Sequence, residues 1–268
     1  MESRGLRIAL RVWVTLVLLF LFVPVALIVL YAFNKSIIES WPIPGLTGHW
    51  FAVAWHDSQV RAALWLSVRV GLAATALALV LGSMVSFALH QFRFFGRDAI
   101  SLLLVLPIAL PGIITGVALN SAISFTGIQF SVLTIVVGHT TFCIVVVFNN
   151  LIARLRRTPG SLAEASMDLG ARGWQTLRYI ILPLSATAVV SGALLAFALS
   201  FDEVIVTIFT AGAQNTLPLW IFGAIRLGQQ LPEVNAVVTI VILLTLVPVV
   251  LAARIAGAGA INRSSRST

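Results

Sequence analysis

Asp202 and Glu203 stand side by side inside the apolar run Ala186–Ala211. At the centre of a helix crossing a bilayer, a carboxylate costs roughly 2.5–3.5 kcal/mol on insertion scales, and less toward the interface. Acids kept in such a place face the bundle interior or a wet path, where a cation can reach them. An ion pair with Arg226 or Arg69, or solvation at the interface, is the structural alternative. His139 lies in an apolar stretch beside Thr140 and Thr141 and reads as a histidine hydrogen-bonded between helices rather than a ligand or proton relay. His49, His56 and His90 have no metal-ligand spacing. No Ser/His/Asp constellation can be assembled, so no catalytic site is expected. Cys143 is the only cysteine, which excludes an internal disulfide, and its apolar surroundings suit a buried small residue. Asn120, Asn149 and Asn150 suit hydrogen bonds between helices.

Nucleotide hydrolysis through a P-loop is excluded as well. That loop needs Gly before its Lys so that backbone N–H groups can cradle phosphates. The single lysine, Lys35, follows Asn34.

A second group of polar residues lies in Ala153–Pro183 and is ordered rather than random. Pro159-Gly160 makes a turn. Ser161-Leu162-Ala163-Glu164 fits a capping box, with Ser161 as N-cap and Glu164 three residues on. The helix that follows places Leu162, Ala165 and Leu169 on one face, and Gly170 suits a left-handed stop. A second short helix carries Trp174, Leu177 and Ile181 on one face, and Pro183 suits the first turn of the next long helix. A helix lying on lipid usually has a Lys/Arg-rich polar face. Glu164 and Asp168 sit on this one, which favours docking to a protein.

The elements that must hold these groups follow from composition. Of 268 residues, 59% are hydrophobic and 10% charged, with mean hydropathy +1.04. A soluble chain could not cover that much apolar surface. Six spans are predicted, about 12–33, 64–89, 99–125, 131–152, 184–204 and 234–253. Pro107, Pro111, Gly112 and Gly116 predict a kinked third span. Its kink serves either packing or a pathway. Arg4, Arg7 and Arg11 before the first span resemble a signal peptide, but the run is too long, so an uncleaved helix is expected. Thirteen of the 17 basic residues fall on the side of both termini, and only Lys35, Arg61, Arg69 and Arg226 on the other. The net charge of +8 therefore reads as membrane orientation, with cytoplasmic termini, rather than nucleic-acid binding. The expected organisation is a cytoplasmic N-terminus (1–11), a membrane domain (12–254) with the loop 153–183, and a cytoplasmic tail (255–268). Trp41, Trp50 and Trp55 in the first outer loop, with Trp65 just beyond, read as interfacial anchors, with docking of an external partner as the alternative.

Glu164-Ala165-Ser166-Met167-Asp168-Leu169-Gly170, nine residues, then Ile180-Ile181-Leu182-Pro183 resembles the EAA loop of ABC importer permeases, E-A-A-x-x-x-G, nine residues, I-x-L-P. The one departure is Ser166 for the second Ala, a minor change in size. The resemblance extends over nearly the whole chain through Thr47–Phe51, Leu199–Val204, Thr216–Leu219, Ile225–Gly228 and Pro232–Ala236, and is greatest to the second permease of spermidine/putrescine importers. Permeases for iron, sulfate and other solutes share parts of these segments.

The resemblance implies an all-α membrane protein of six transmembrane helices with a cytoplasmic coupling helix, the type I ABC importer permease fold, in the bacterial inner membrane. Glu164 and Gly170 then belong to the contact with an ATPase subunit, with Ser161, Ala165, Asp168 and Leu169 around them. Partners implied are a second permease, two ATPase subunits and an extracytoplasmic binding protein. This chain would bind no cofactor, ATP and Mg residing on the ATPase. Asp202 and Glu203 would meet a polycationic substrate near the outer mouth. A secondary transporter or channel acting alone, and a membrane scaffold, are the rival readings.

Overall fold

The computed structural model describes residues 4–92, 94–228 and 231–245. Among these the regular structure is helical, apart from one isolated antiparallel bridge between Asn34 and Leu46. Two compact units form: residues 1–61 with 223–268, and residues 62–222.

In the first unit, α1 (Arg4–Ala32) is 29 residues long and apolar on all sides, with only Ala32 buried. At 1.5 Å per residue it measures about 44 Å, enough to cross a hydrocarbon core of about 30 Å. The helix starts at Arg4, so the basic segment before the predicted span is helical too. Residues 33–48 fold back on the fully buried Asn34, whose side chain donates to the Ile38 carbonyl and accepts from the Ser36 N–H. Trp50, in α2 (His49–His56), donates its indole N–H to the Asn34 carbonyl at 2.7 Å. Trp41 and Trp55 stay exposed, as anchors at an interface would.

The second unit is built around α6 (Val132–Leu155), the most deeply buried of the long helices. Around it lie α3 (Ser58–Gln91), α4 (Arg97–Ala109) and α5 (Gly112–Thr126). The short α7 (Ser161–Asp168) and α8 (Gly173–Thr176) follow, then a π-helical turn (Leu177–Ile181) and α9 (Leu182–Asp202). The six-residue α10 (Ile205–Thr210) comes next, then α11 (Leu217–Leu227), whose first six residues belong to this unit. Phe142, Cys143 and Val147 of α6 meet Ala78, Ala196 and Val206 in one apolar cluster. Cys143 is the buried small residue expected; its Sγ lies 3.3 Å from the Ala196 carbonyl.

Three readings from the sequence need revision. The third span is two helices, α4 and α5, inclined at 106°. Leu110 is extended (ψ 143°) because it precedes Pro111, whose ring excludes a helical predecessor; α4 ends there and α5 begins afresh. The second short helix of the loop is continuous with the fifth span, giving 30 helical residues, Gly173–Asp202. Pro183 nevertheless stands in the first turn of α9, as expected, directly after the π turn that joins the two helices. Ser161 is not the N-cap of α7: that place belongs to Gly160, and no side chain caps the helix.

Four helices, Arg4–Ala32, Ser58–Gln91, Val132–Leu155 and Gly173–Asp202, are long and apolar enough to cross a membrane, and the bent α4/α5 pair makes a fifth. For the sixth predicted span the described residues contain α12 (Leu231–Thr245); its continuation and the predicted tail lie outside the described residues.

Candidate functional site

The predicted site residues lie at the two ends of one rod, just before its start and at its close. Before its start, α7 presents Ser161, Glu164, Ala165 and Asp168 to solvent, with Leu169 90% exposed. Gly170 has φ +87°, the left-handed stop foreseen. The N–H groups of Gly170 and Ala171 turn back to the Met167 and Ser166 carbonyls at 2.9 and 3.0 Å. Ser166, the position that departs from the family pattern, does more than fill space. Its buried hydroxyl lies 2.7 Å from that of Thr176 in α8, pinning α7 across the turn. The polar interior of the turn is thereby satisfied, while Leu162, Met167, Leu169 and Trp174 stay exposed.

At the other end of the rod the acids part company. Asp202 closes α9 and is exposed. Glu203 leaves the helix in an extended conformation, and its carboxylate accepts the Val206 N–H at 2.9 Å, capping the start of α10. A carboxylate at a helix N-terminus meets both free N–H groups and the positive end of the dipole. Neither acid forms an ion pair with Arg69, whose guanidinium lies over the Trp65 ring, 5.8 Å from its centroid.

His139 holds this break from the side. It is 1% exposed; Nδ1 lies 2.8 Å from Ser200 Oγ before the break, and Nε2 lies 2.8 Å from Thr207 Oγ1 after it. The role is the interhelical hydrogen bond expected. Its partners, 61 and 68 residues away, carry no local signal that the sequence could offer. Asn120 adds a bond from α5 to the Phe209 carbonyl at 2.7 Å, and Thr134 one from α6 to the Thr210 carbonyl at 2.8 Å. Short α10 is thus tied at both ends to its neighbours.

Residues 78–259 match the family described as the binding-protein-dependent transport system inner membrane component. The match takes in both Ser161–Gly170 and Asp202–Glu203. The chain belongs to this family. These permeases are multi-pass inner-membrane proteins of ABC transport. The present one is 36% identical to the spermidine/putrescine transport system permease protein PotC of Haemophilus influenzae, over 87% of this chain and 90% of that one. It is 34% identical to the putrescine transport system permease protein PotI of Escherichia coli, over 83% and 82%. Its fold is similar to a crystal structure of a bacterial ABC transporter involved in import of the polysaccharide alginate. That likeness has a TM-score of 0.71 at 16% identity, covering 94% of this permease and 98% of that chain.

The relatives of this permease are named as transport system permease proteins. Among the described residues no group of three His, Cys, Asp or Glu side chains could hold a metal ion. What the geometry offers is mechanical: an exposed turn at one end of a rod and an exposed acid at the other.

Proposed function

We propose that this permease forms half of a polyamine pathway, paired with a second permease and driven by two ATPase subunits that supply ATP and Mg. An extracytoplasmic binding protein delivers the substrate. The ATPase engages α7 and the Gly170 turn, through Ser161, Glu164, Ala165, Asp168 and Leu169. Its closure moves the rod, and the far end reshapes the break where Asp202 faces a polycation. Glu203 shapes that place by capping α10 rather than as a free charge. The curated polyamine permeases named above support the substrate class, as does the chemistry of an exposed acid meeting two or more ammonium groups.

One observation carries the reading: Gly173–Asp202 is a single helix of 30 residues. It measures about 45 Å at 1.5 Å per residue, so it joins a docking turn to an acid across a full bilayer. A channel or secondary transporter working alone has no use for a pre-folded turn that leaves Leu169 in water.

The test is ATP hydrolysis by the complete complex in proteoliposomes, with its binding protein loaded in turn with spermidine, putrescine, ferric iron and sulfate. Polyamines are expected to stimulate hydrolysis; stimulation by sulfate or iron alone would discard the substrate assignment. Co-purification of the ATPase, reduced in Gly170→Val but not in Asp202→Asn, tests the docking assignment separately.

A further inference from the structure

A cavity of about 390 Å³ opens at the C-terminal end of α6, lined by Asn149, Asn150, Ala153, Arg154 and Arg157. Its residues recur at i, i+1, i+4, i+5 and i+8, which is one face of a helix. α9 packs beside this face. Arg154 Nε donates to the Leu184 carbonyl at 2.9 Å, and a Cβ built on Gly192 would lie 3.7 Å from the Asn150 Cβ. This place differs in kind from both sites above: no acid lines it, and among the described residues neither arginine pairs with a carboxylate.

The side chains are held ready for an anion. The bond to Leu184 fixes the Arg154 guanidinium and leaves its terminal nitrogens free. Asn150 spends one amide hydrogen on the Val146 carbonyl at 2.9 Å and keeps the other. The ordinary explanation for arginines at a helix C-terminus is that they offset the dipole there, worth about half a charge. Two guanidinium groups exceed that fourfold, so a positive field remains. Ala153, with its small side chain, leaves the middle of the face open.

Depth argues for the source of the anion. On the positive-inside rule this end of α6 lies at the cytoplasmic surface. The asparagines are one turn, about 6 Å, further into the membrane than Arg154. Polar groups at two depths beside a bilayer match a lipid: phosphate at the arginines, glycerol ester carbonyls at the amides. Basic pockets between membrane helices on this side suit anionic headgroups.

We infer that this cavity binds the phosphate of an anionic phospholipid of the inner leaflet, with Arg154 and Arg157 on the phosphate and Asn149 and Asn150 on the glycerol esters. The inference goes beyond the transport reading and does not rest on it.

The experiment is native mass spectrometry of the assembled, detergent-solubilised complex. Short-chain phosphatidylglycerol and phosphatidylcholine are titrated separately, and inorganic phosphate is added as a competitor. Phosphatidylglycerol is expected to be retained preferentially, and Arg157→Gln to weaken its retention about fivefold, the effect of one arginine near a charged headgroup. Arg156→Gln makes the same charge change outside the cavity and is expected to leave retention unchanged. Among the described residues the Arg157 side chain makes no hydrogen bond, so its variant spares the α6–α9 contact that Arg154→Gln would break. Equal retention of the two lipids would overturn the inference, as would an equal loss in Arg156→Gln. Complete displacement by inorganic phosphate would overturn it too, by making the cavity a free-anion site.

Discussion

Thr207 has one hydroxyl proton, and at 2.6 Å it is given to the Glu203 carbonyl. The oxygen can therefore only accept from His139 Nε2, which must carry the imidazole proton. In the neutral imidazole Nδ1 is then the acceptor for the Ser200 hydroxyl. His139 is a clamp with both nitrogens satisfied, which is how a buried polar group becomes stabilising rather than costly. His139→Ala removes both bonds; the Ser200 hydroxyl loses its partner, while Thr207 keeps its bond to the Glu203 carbonyl. The expected loss is about 2–4 kcal/mol, from the orphaned hydroxyl and the cavity. It is read as a lower thermal midpoint of the purified complex. An unchanged midpoint would show that the break at Asp202–Glu203 holds itself. The two acids next to this clamp need different treatment. Glu203→Gln keeps a carbonyl oxygen that can accept the Val206 N–H, so the cap survives and the midpoint is expected to change by less than about 1 kcal/mol. Glu203→Ala removes the acceptor, and about 1 kcal/mol is expected to go with it.

At the scale of elements, α10 is too short to be stable alone and borrows its shape from α5 and α6. Gly116 of α5 is where that contact is tightest. A Cβ placed there would come within 2.4 Å of the Phe209 ring. The ring cannot simply retreat with its backbone, because Asn120 grips the Phe209 carbonyl. Gly116→Ala is therefore expected to cost about 1–3 kcal/mol by overpacking and to slow uptake. Phe209→Leu, which shrinks the opposing ring, is expected to restore part of the rate in the double variant. If the single variant transports normally, α5 and α10 slide freely, and the cradle is not a constraint. The same pair shows what a linear sequence can reveal. Gly170 was legible because a left-handed helix stop is a local requirement, and Asp202 because charge is conspicuous in an apolar run. Pro111 announced a disruption, but its size, 106°, depends on what α5 packs against. The cap of α7 was misplaced because Gly160 already has helical torsions and its carbonyl takes the first helical bonds, so the turn begins one residue before the Ser161 pattern. Thr176 answers Ser166, and Ser200 and Thr207 answer His139, only after folding.

For the molecule as a transporter, the decisive property is that the two proposed tasks sit toward opposite ends of one helix. Asp202 and Gly170 are far enough apart, about 45 Å by the length of the rod, for their effects on stability to add. Their effects on transport should separate by kind. Asp202→Asn removes the charge proposed to meet the substrate and leaves the docking turn intact. It is expected to raise the KM for polyamine uptake several-fold with basal ATP hydrolysis unchanged. Gly170→Ala puts a Cβ on a residue at φ +87°, at a cost of about 1 kcal/mol or more, with no neighbour within 4 Å to clash with. The strain falls on the turn itself, so maximal rate and substrate-stimulated hydrolysis should fall while KM holds. The double variant should show both defects, each at its single-variant size, because neither residue contacts the other. Uptake and hydrolysis measured on the same proteoliposomes check this. A Gly170→Ala variant that shifts KM as Asp202→Asn does would mean the turn shapes the pathway directly, and the rod would then be a scaffold rather than a transmission.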